Sequence, residues 1–249
     1  MFTVEQRDRV RDRTLAMARA DRRIVAGAAI GSAAHGPGDR WSDLDLGFGV
    51  GEGASPGEVL ADWTPRLERE HGAVHLFDLL TGAASYRVFL FPGALQVDLS
   101  FAPAAAFGAR GPKFKLLFGS AVEHPRAEPP SASHLFGLGV HHAVRARFCV
   151  ERSRFWQAQH WIGELREIGL TLACRRRGLP MAQGRGYDDL PAEVATPFQE
   201  TLVRSLDRAE LLRALRAAID GLLREADEAR ELASKVEGQL RDLISPRPV

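Results

Sequence analysis

Three aspartates stand where their carboxylates could share a divalent cation. Asp43 and Asp45 begin the segment 43–50, in which apolar residues alternate with small or acidic ones. A period of two predicts a strand with one face packed on a core. Both carboxylates then project from the other face, about 7 Å apart along the chain. Asp98 has the same relation to its neighbours in the segment 95–101. If the two strands are adjacent, the three acids repel one another unless a cation such as magnesium, which prefers oxygen ligands, offsets their charge.

The dipeptide Gly31-Ser32 follows an apolar run, residues 23–30, that predicts a buried strand. At a strand end its N–H groups and hydroxyl can hold phosphate oxygens, and glycine lets the chain approach a ligand without a clashing β-carbon. Alone, the dipeptide would be interpreted as an ordinary turn. Its position shortly before the motif Ser42-Asp43-Leu44-Asp45 favours phosphate binding.

Residues 31–46 resemble the signature of the DNA-polymerase-β-like nucleotidyltransferase superfamily. The shared pattern is Gly-Ser, a short glycine-containing loop and Ser-Asp-x-Asp, with a third aspartate on a later strand. The resemblance covers about the first 100 residues in detail. The chain looks most like the small bacterial branch that contains the aminoglycoside nucleotidyltransferases, in which a helical C-terminal domain follows. It departs from the pattern at His35, where an arginine is common.

The resemblance implies a role for each matching residue. Asp43, Asp45 and Asp98 would be catalytic and would bind magnesium, most simply in a two-metal site. The donor would be ATP or another NTP, and an acceptor hydroxyl would attack its α-phosphorus and expel pyrophosphate. The implied nucleotide-binding positions are Gly31, Ser32 and Ser42.

A general base is the remaining part of the implied mechanism. Some relatives use a carboxylate from the helical domain for this purpose. Glu151 is therefore included in the catalytic set, with Glu164 as the alternative. The sequence does not choose between them.

The elements that must position these residues are predicted by periodicity and by turn chemistry. We expect an α/β domain with a mixed sheet over residues 1–125 and an all-helical domain over 134–249. Ser55-Pro56-Gly57-Glu58 predicts a capped helix start, and Pro92-Gly93 predicts the turn of an antiparallel hairpin. The predicted strands are 23–30, 43–50, 74–80, 86–91 and 95–101. The predicted helices are a surface helix over 4–20, one that begins after Ser55, and helical stretches over 135–177, 196–205 and 207–243, with a proline-rich linker over 123–133.

Composition excludes several other classes of protein. The 249 residues carry a formal net charge of +1, so no overall field favours nucleic acid or a membrane surface as partner. Two cysteines cannot build a disulfide framework, and no secretory signal or apolar run long enough to span a bilayer is evident. We therefore expect a cytoplasmic protein. The oligomeric state is not predicted.

Three functions are compatible with these patterns. The first is transfer of AMP to a hydroxyl of a small molecule, for which an aminoglycoside-like antibiotic, and hence antibiotic resistance, is suggested by family analogy alone. The second is nucleotide transfer onto a protein or an RNA, as in toxin–antitoxin relatives, which would call for a basic or apolar docking face. The third is a non-catalytic nucleotide-binding protein, which would have no reason to keep three mutually repelling acids.

Overall fold

The chain forms two compact units, Met1–Ala127 and Glu128–Val249. The residues that the computed structural model describes are 1–34, 39–111, 113–125 and 128–245. His35 lies outside them. The elements of the first unit are helices α1 (Val4–Ala20) and α2 (Pro56–His71) and strands β1 (Ile24–Ile30), β2 (Leu44–Val50), β3 (Val74–Thr81), β4 (Ala84–Phe91), β5 (Leu95–Pro103), β6 (Gly108–Ala109), β7 (Phe114–Phe118) and β8 (Val122–Glu123).

A six-stranded sheet in the order β3-β4-β5-β2-β1-β7 forms the centre of this unit. Strands β2 and β5 are parallel, whereas every other pair of neighbours is antiparallel. Phe91 lies opposite Leu95 across the Pro92-Gly93 turn, which confirms the predicted hairpin. The prediction of a mixed sheet followed by a helical part is also confirmed.

One face of the sheet packs against α1 and α2. Phe48 and Phe101 are fully buried on this face, and the Trp63 ring of α2 lies 5.3 Å and 5.1 Å from their ring centroids. Burial of each such side chain stabilises the fold by about 1.5–3 kcal/mol. Because side chains alternate along a strand, the side chains of the residues between these apolar positions must project from the opposite face.

Helix α2 begins where the sequence predicts. The Ser55 hydroxyl accepts a hydrogen bond from the Glu58 backbone, and the Glu58 side chain accepts one from the Ser55 backbone. Pro56 lies at the first helical position, and Gly72 ends the helix in the left-handed conformation, with φ of 63°. The capping box is worth about 1 kcal/mol.

The second unit is helical, but its helices are shorter than predicted. The elements are α3 (Ala132–Glu151), α4 (Phe155–Arg176), α5 (Ala192–Gln199), α6 (Arg208–Arg224) and α7 (Arg230–Ile244). The helical periodicity predicted over 135–177 is divided between α3 and α4, because the chain turns at Ser153, which has φ of 55°. Neither glycine nor proline marks this turn. It is closed instead by a hydrogen bond from the Arg154 backbone to the Cys149 carbonyl, 2.8 Å, and it lets α4 pack back along α3.

The two later helical predictions also need correction. A single helix over 207–243 would be about 55 Å long. Helices α3 and α4 have only 20 and 22 residues, which makes them about 30 and 33 Å long. The chain instead forms two helices, and α7 returns antiparallel to α6. Arg216 of α6 therefore donates to the Ile244 carbonyl of α7 at 2.7 Å. The helix predicted over 196–205 follows Pro191 and ends at Gln199. None of the described helices is both long enough and apolar enough to cross a bilayer.

Candidate metal centre

The carboxylates of Asp43, Asp45 and Asp98 converge on one side of the sheet. Asp45 on β2 and Asp98 on β5 are direct partners in the parallel register, and Asp43 immediately precedes β2. Each of the three contributes an oxygen that lies within 4.8 Å of the oxygens of the other two. Paired residues of adjacent strands project from the same face about 4.8 Å apart, so the register brings the acids together.

Apolar neighbours fix the direction of these side chains. Leu44, Leu46, Val97 and Leu99 are each at most 2% exposed in the core beneath the sheet. A one-residue slip of β2 or β5 would bury the acids in that core, at a prohibitive cost for unpaired charges. The hydrophobic pattern thus determines the position of the acidic cluster.

Asp98 is the most enclosed of the three acids, with 7% of its surface exposed. Its Oδ2 atom accepts a hydrogen bond from the Tyr86 hydroxyl at 2.6 Å, and the Gln96 amide donates to Oδ1 and Oδ2 at 3.1 and 3.2 Å. Burial raises the pKa of Tyr86 far above its usual range, as do the hydrogen bond to Asp98 and the nearby charges of Asp45 and Asp43. The phenol therefore stays protonated and remains a hydrogen-bond donor.

The acidic cluster is chemically suited to a hard divalent cation. Two carboxylate charges about 4 Å apart repel by about 4 kcal/mol at an effective dielectric constant of 20, and three acids lie within such a range here. A bound dication would offset that repulsion, and carboxylate oxygens are the ligands that magnesium prefers. The described residues therefore fit a metal ion of this type.

The backbone at Gly31 lies directly against the cluster. Gly31 follows β1 with φ of 66°, and its N–H donates to the Lys113 carbonyl at 3.1 Å. A β-carbon at this position would overlap the Oδ2 atom of Asp45. Only glycine allows this approach without strain.

Ser32 places a shielded hydroxyl beside the same acids. Its Oγ atom is buried and has no hydrogen-bond partner within the described parts of the chain. Ser32 also lines a cavity of about 400 Å³ together with Trp41, Ser42, Asp43 and Gln96. A buried hydroxyl without a partner is costly, and a ligand oxygen is one means of satisfying it.

Ser42 is engaged within its own loop. Its Oγ atom lies 3.1 Å from both the backbone nitrogen and the Oδ1 atom of Asp39. Its hydroxyl therefore shapes the loop that leads into Asp43. A direct contact of Ser42 with nucleotide stays a prediction.

Arg7 is a supporting residue that the sequence did not reveal. The segment 4–20 was predicted to be a surface helix, yet Arg7 is only 4% exposed. Its Nη1 atom donates to the carbonyl oxygens of Asp39 at 2.6 Å and Ser42 at 3.2 Å. One guanidinium group thus holds both ends of the turn that precedes Asp43. An arginine within a predicted helix carries no signal for such a contact, which spans more than thirty residues along the chain.

Tyr86 was also missed, although a usable signal was present. A hairpin that turns at Pro92-Gly93 with Phe91 opposite Leu95 must place Tyr86 opposite Ser100, on the face of Asp98. The predicted turn was therefore sufficient to bring a phenol close to the third aspartate.

The two candidate bases lie in the second unit. The carboxylate of Glu151 pairs with Arg147 and Arg208, each at 2.7 Å, and the hydrogen bond from Arg208 is the main reason why its pKa is lowered. Glu164 is half-buried near His142, whose pKa is lowered by burial while the charge of Glu164 opposes that shift. A carboxylate of lowered pKa is a weaker base. The choice between the two glutamates stays open.

The matches of this chain to known proteins come from solved structures alone. No protein-family model and no curated protein matches the chain. Among solved structures, an aminoglycoside 6-adenyltransferase from Bacillus subtilis matches with 13% sequence identity over 99% of this chain and 100% of that chain, at a TM-score of 0.40. At that TM-score the likeness does not establish the family of this chain, so its function is inferred from the described residues.

Proposed function

We propose that this protein is a metal-dependent nucleotidyltransferase that moves a nucleoside monophosphate, AMP from ATP, to a hydroxyl group of a small molecule. The observation that carries the proposal is the convergence of Asp43, Asp45 and Asp98 within 4.8 Å. Gly31 lies against Asp45, and Ser32 lines one cavity with Asp43, in the order that the nucleotidyltransferase signature requires.

Each residue of the centre has a role in this proposal. Asp43, Asp45 and Asp98 would hold magnesium ions, which when bound neutralise charge on the triphosphate and activate the acceptor hydroxyl. The unpartnered hydroxyl of Ser32 would donate to a phosphate oxygen, and the small Gly31 would let that phosphate come close to the backbone. Positioning and electrostatics account for most of the catalysis in phosphoryl transfer.

The proposed reaction is an in-line substitution at phosphorus. The acceptor oxygen forms a bond to the α-phosphorus, the bond from that phosphorus to the bridging oxygen breaks, and pyrophosphate leaves with the bonding electron pair. The proton of the acceptor hydroxyl passes to a general base, for which Glu151 and Glu164 are the candidates.

The acceptor class is proposed from charge. A polycation such as an aminoglycoside needs acidic groups along its binding surface, and the second unit offers exposed carboxylates at Glu167, Asp188 and Asp189, besides Glu151 and Glu164. Exposed carboxylates suit a cationic small molecule better than an RNA.

The decisive experiment measures pyrophosphate release with Mg²⁺ and each NTP across a panel of aminoglycosides and other hydroxyl acceptors. Asp45→Asn is the test variant. Asp12→Asn, which alters an exposed acid of α1, is the matched control. We expect release that requires both the metal and one acceptor, persists in Asp12→Asn and disappears in Asp45→Asn. Absence of both turnover and metal-dependent nucleotide binding in the unmodified protein would refute the proposal.

A further inference from the structure

We infer that Tyr86 is a positioning residue of the metal centre, whose hydroxyl holds the Asp98 carboxylate in the orientation that receives a divalent cation. The inference rests on the proposed function. It assigns a role to a strand, β4, that contributes none of the three acids.

The contact between the two residues is short and well shielded. The Tyr86 hydroxyl donates to Asp98 Oδ2 at 2.6 Å, within the 2.5–2.7 Å range typical of a hydroxyl bound to an ionised carboxylate. Asp98 is almost entirely buried, and Tyr86 is half-buried. In such surroundings the hydrogen bond is less weakened by water than on an exposed surface.

The geometry of the strands explains how the phenol reaches this carboxylate. Tyr86 lies opposite Ser100, and Asp98 lies opposite Val88, so Tyr86 and Asp98 are diagonal neighbours on one face. A diagonal separation of about 7–8 Å between such positions is within reach of an aromatic side chain. Both residues are on paired strands inside the sheet, so the Tyr86 hydroxyl is held by a rigid backbone.

Hydrogen bonding leaves the carboxylate able to bind metal. An ionised carboxylate has about four lone-pair sites, and Tyr86 and Gln96 donate to Asp98 through two donor atoms. Groups that orient a ligating carboxylate commonly affect metal affinity by 10- to 100-fold when they are removed. The Tyr86 hydroxyl would thus set the rotamer of Asp98 before the cation arrives.

The test measures Mn²⁺ binding to the unmodified protein and to Tyr86→Phe. Binding is monitored through the electron paramagnetic resonance signal of free Mn²⁺. This variant removes a single oxygen atom and keeps the ring, so the fold should persist. Tyr187→Phe is the matched control, because the only other tyrosine is also half-buried and hydrogen-bonded, to Thr171 and to the Glu167 carbonyl. We expect the Kd for Mn²⁺ to rise about 10-fold in Tyr86→Phe and to stay unchanged in Tyr187→Phe.

A double-mutant cycle separates positioning from general loss of structure. In an Asp98→Asn background, Tyr86→Phe should have no further effect on the Kd, because the hydroxyl acts through the Asp98 carboxylate. Equal or tighter Mn²⁺ binding in Tyr86→Phe, or an undiminished effect in the Asp98→Asn background, would overturn the inference. Failure of the unmodified protein to bind Mn²⁺ would instead count against the proposed function.

Discussion

Gly31 lies against the carboxylate of Asp45 so closely that a β-carbon at position 31 would overlap the Oδ2 atom. The same glycine has φ of 66°, a conformation that L-residues with side chains rarely adopt. Two independent constraints therefore act on this position. One comes from the backbone, and the other comes from the acidic cluster.

The variant Gly31→Ala should weaken metal binding more than an ordinary glycine replacement does. The positive φ alone should cost about 1–2 kcal/mol of stability, and the displacement of Asp45 should weaken Mn²⁺ binding by about 10- to 100-fold. Gly178→Ala is the control, because Gly178 has φ of 67° and, its chain neighbours aside, no atom of the described residues lies within 4 Å of the added carbon. Calorimetric Mn²⁺ titration and urea unfolding of both variants provide the measurements. Equal Mn²⁺ affinity in the two variants would show that the contact with Asp45 is unimportant.

The variant Ser32→Ala should affect nucleotide binding without loss of stability. Its buried Oγ atom has no partner in the described residues, so removal of the hydroxyl should leave the free energy of unfolding unchanged or higher. Loss of a hydrogen bond to a charged phosphate should raise the Kd for Mg²⁺–ATP about tenfold or more. Ser55→Ala should show the opposite pattern. Ser55 caps α2, which packs on the face of the sheet opposite the acids, and its loss should cost about 1 kcal/mol. Unchanged nucleotide affinity in Ser32→Ala would exclude the proposed phosphate contact.

The variant Arg7→Met should loosen the turn before Asp43. Removal of the guanidinium leaves the carbonyls of Asp39 and Ser42 without this donor, so we expect a loss of about 2 kcal/mol in stability. Mn²⁺ affinity should fall as well, because Asp43 follows the turn directly. Arg9→Met changes an exposed residue of the same helix and should alter neither quantity. A loss of stability with full Mn²⁺ affinity would limit Arg7 to a structural role.

Local patterns were sufficient to predict most of the first unit. The alternation in residues 43–50 and 95–101 determined which face carries Asp45 and Asp98, because each apolar partner must reach the core. The capping box at Ser55 and the turn at Pro92-Gly93 are likewise short-range signals with a direct physical cause.

Contacts between residues distant in sequence could not be predicted in the same way. Arg7 reaches a turn 32 to 35 residues away, and nothing in its local sequence distinguishes it from its exposed neighbour Arg9. The break at Ser153 has a similar explanation. Its left-handed conformation is stabilised by the packing of α3 against α4, whereas the local sequence contains no glycine or proline to mark it.

The ion pair of Glu210 makes the stability of the helical unit depend on pH. Arg213 donates to both carboxylate oxygens at 2.7 Å, and this contact, with a further hydrogen bond from the Arg204 backbone at 2.9 Å, lowers the pKa of Glu210 from 4.5 to about 2. A carboxyl group whose pKa is lower in the folded state stabilises the fold fully above its unfolded pKa. That stabilisation is lost as the pH falls from 4.5 towards 2.

Urea unfolding of Glu210→Gln between pH 6 and pH 2.5, followed by circular dichroism, checks this dependence. The free energy of unfolding should be lower in the variant than in the unmodified protein at pH 6, and the difference should shrink steadily below pH 4.5. Glu231→Gln is the control, because Glu231 forms an exposed pair with Lys235 and such pairs contribute little at any pH. A difference for Glu210→Gln that stays constant down to pH 2.5 would mean that the folded state does not lower the pKa of Glu210, and that the Arg213 contact contributes packing rather than charge.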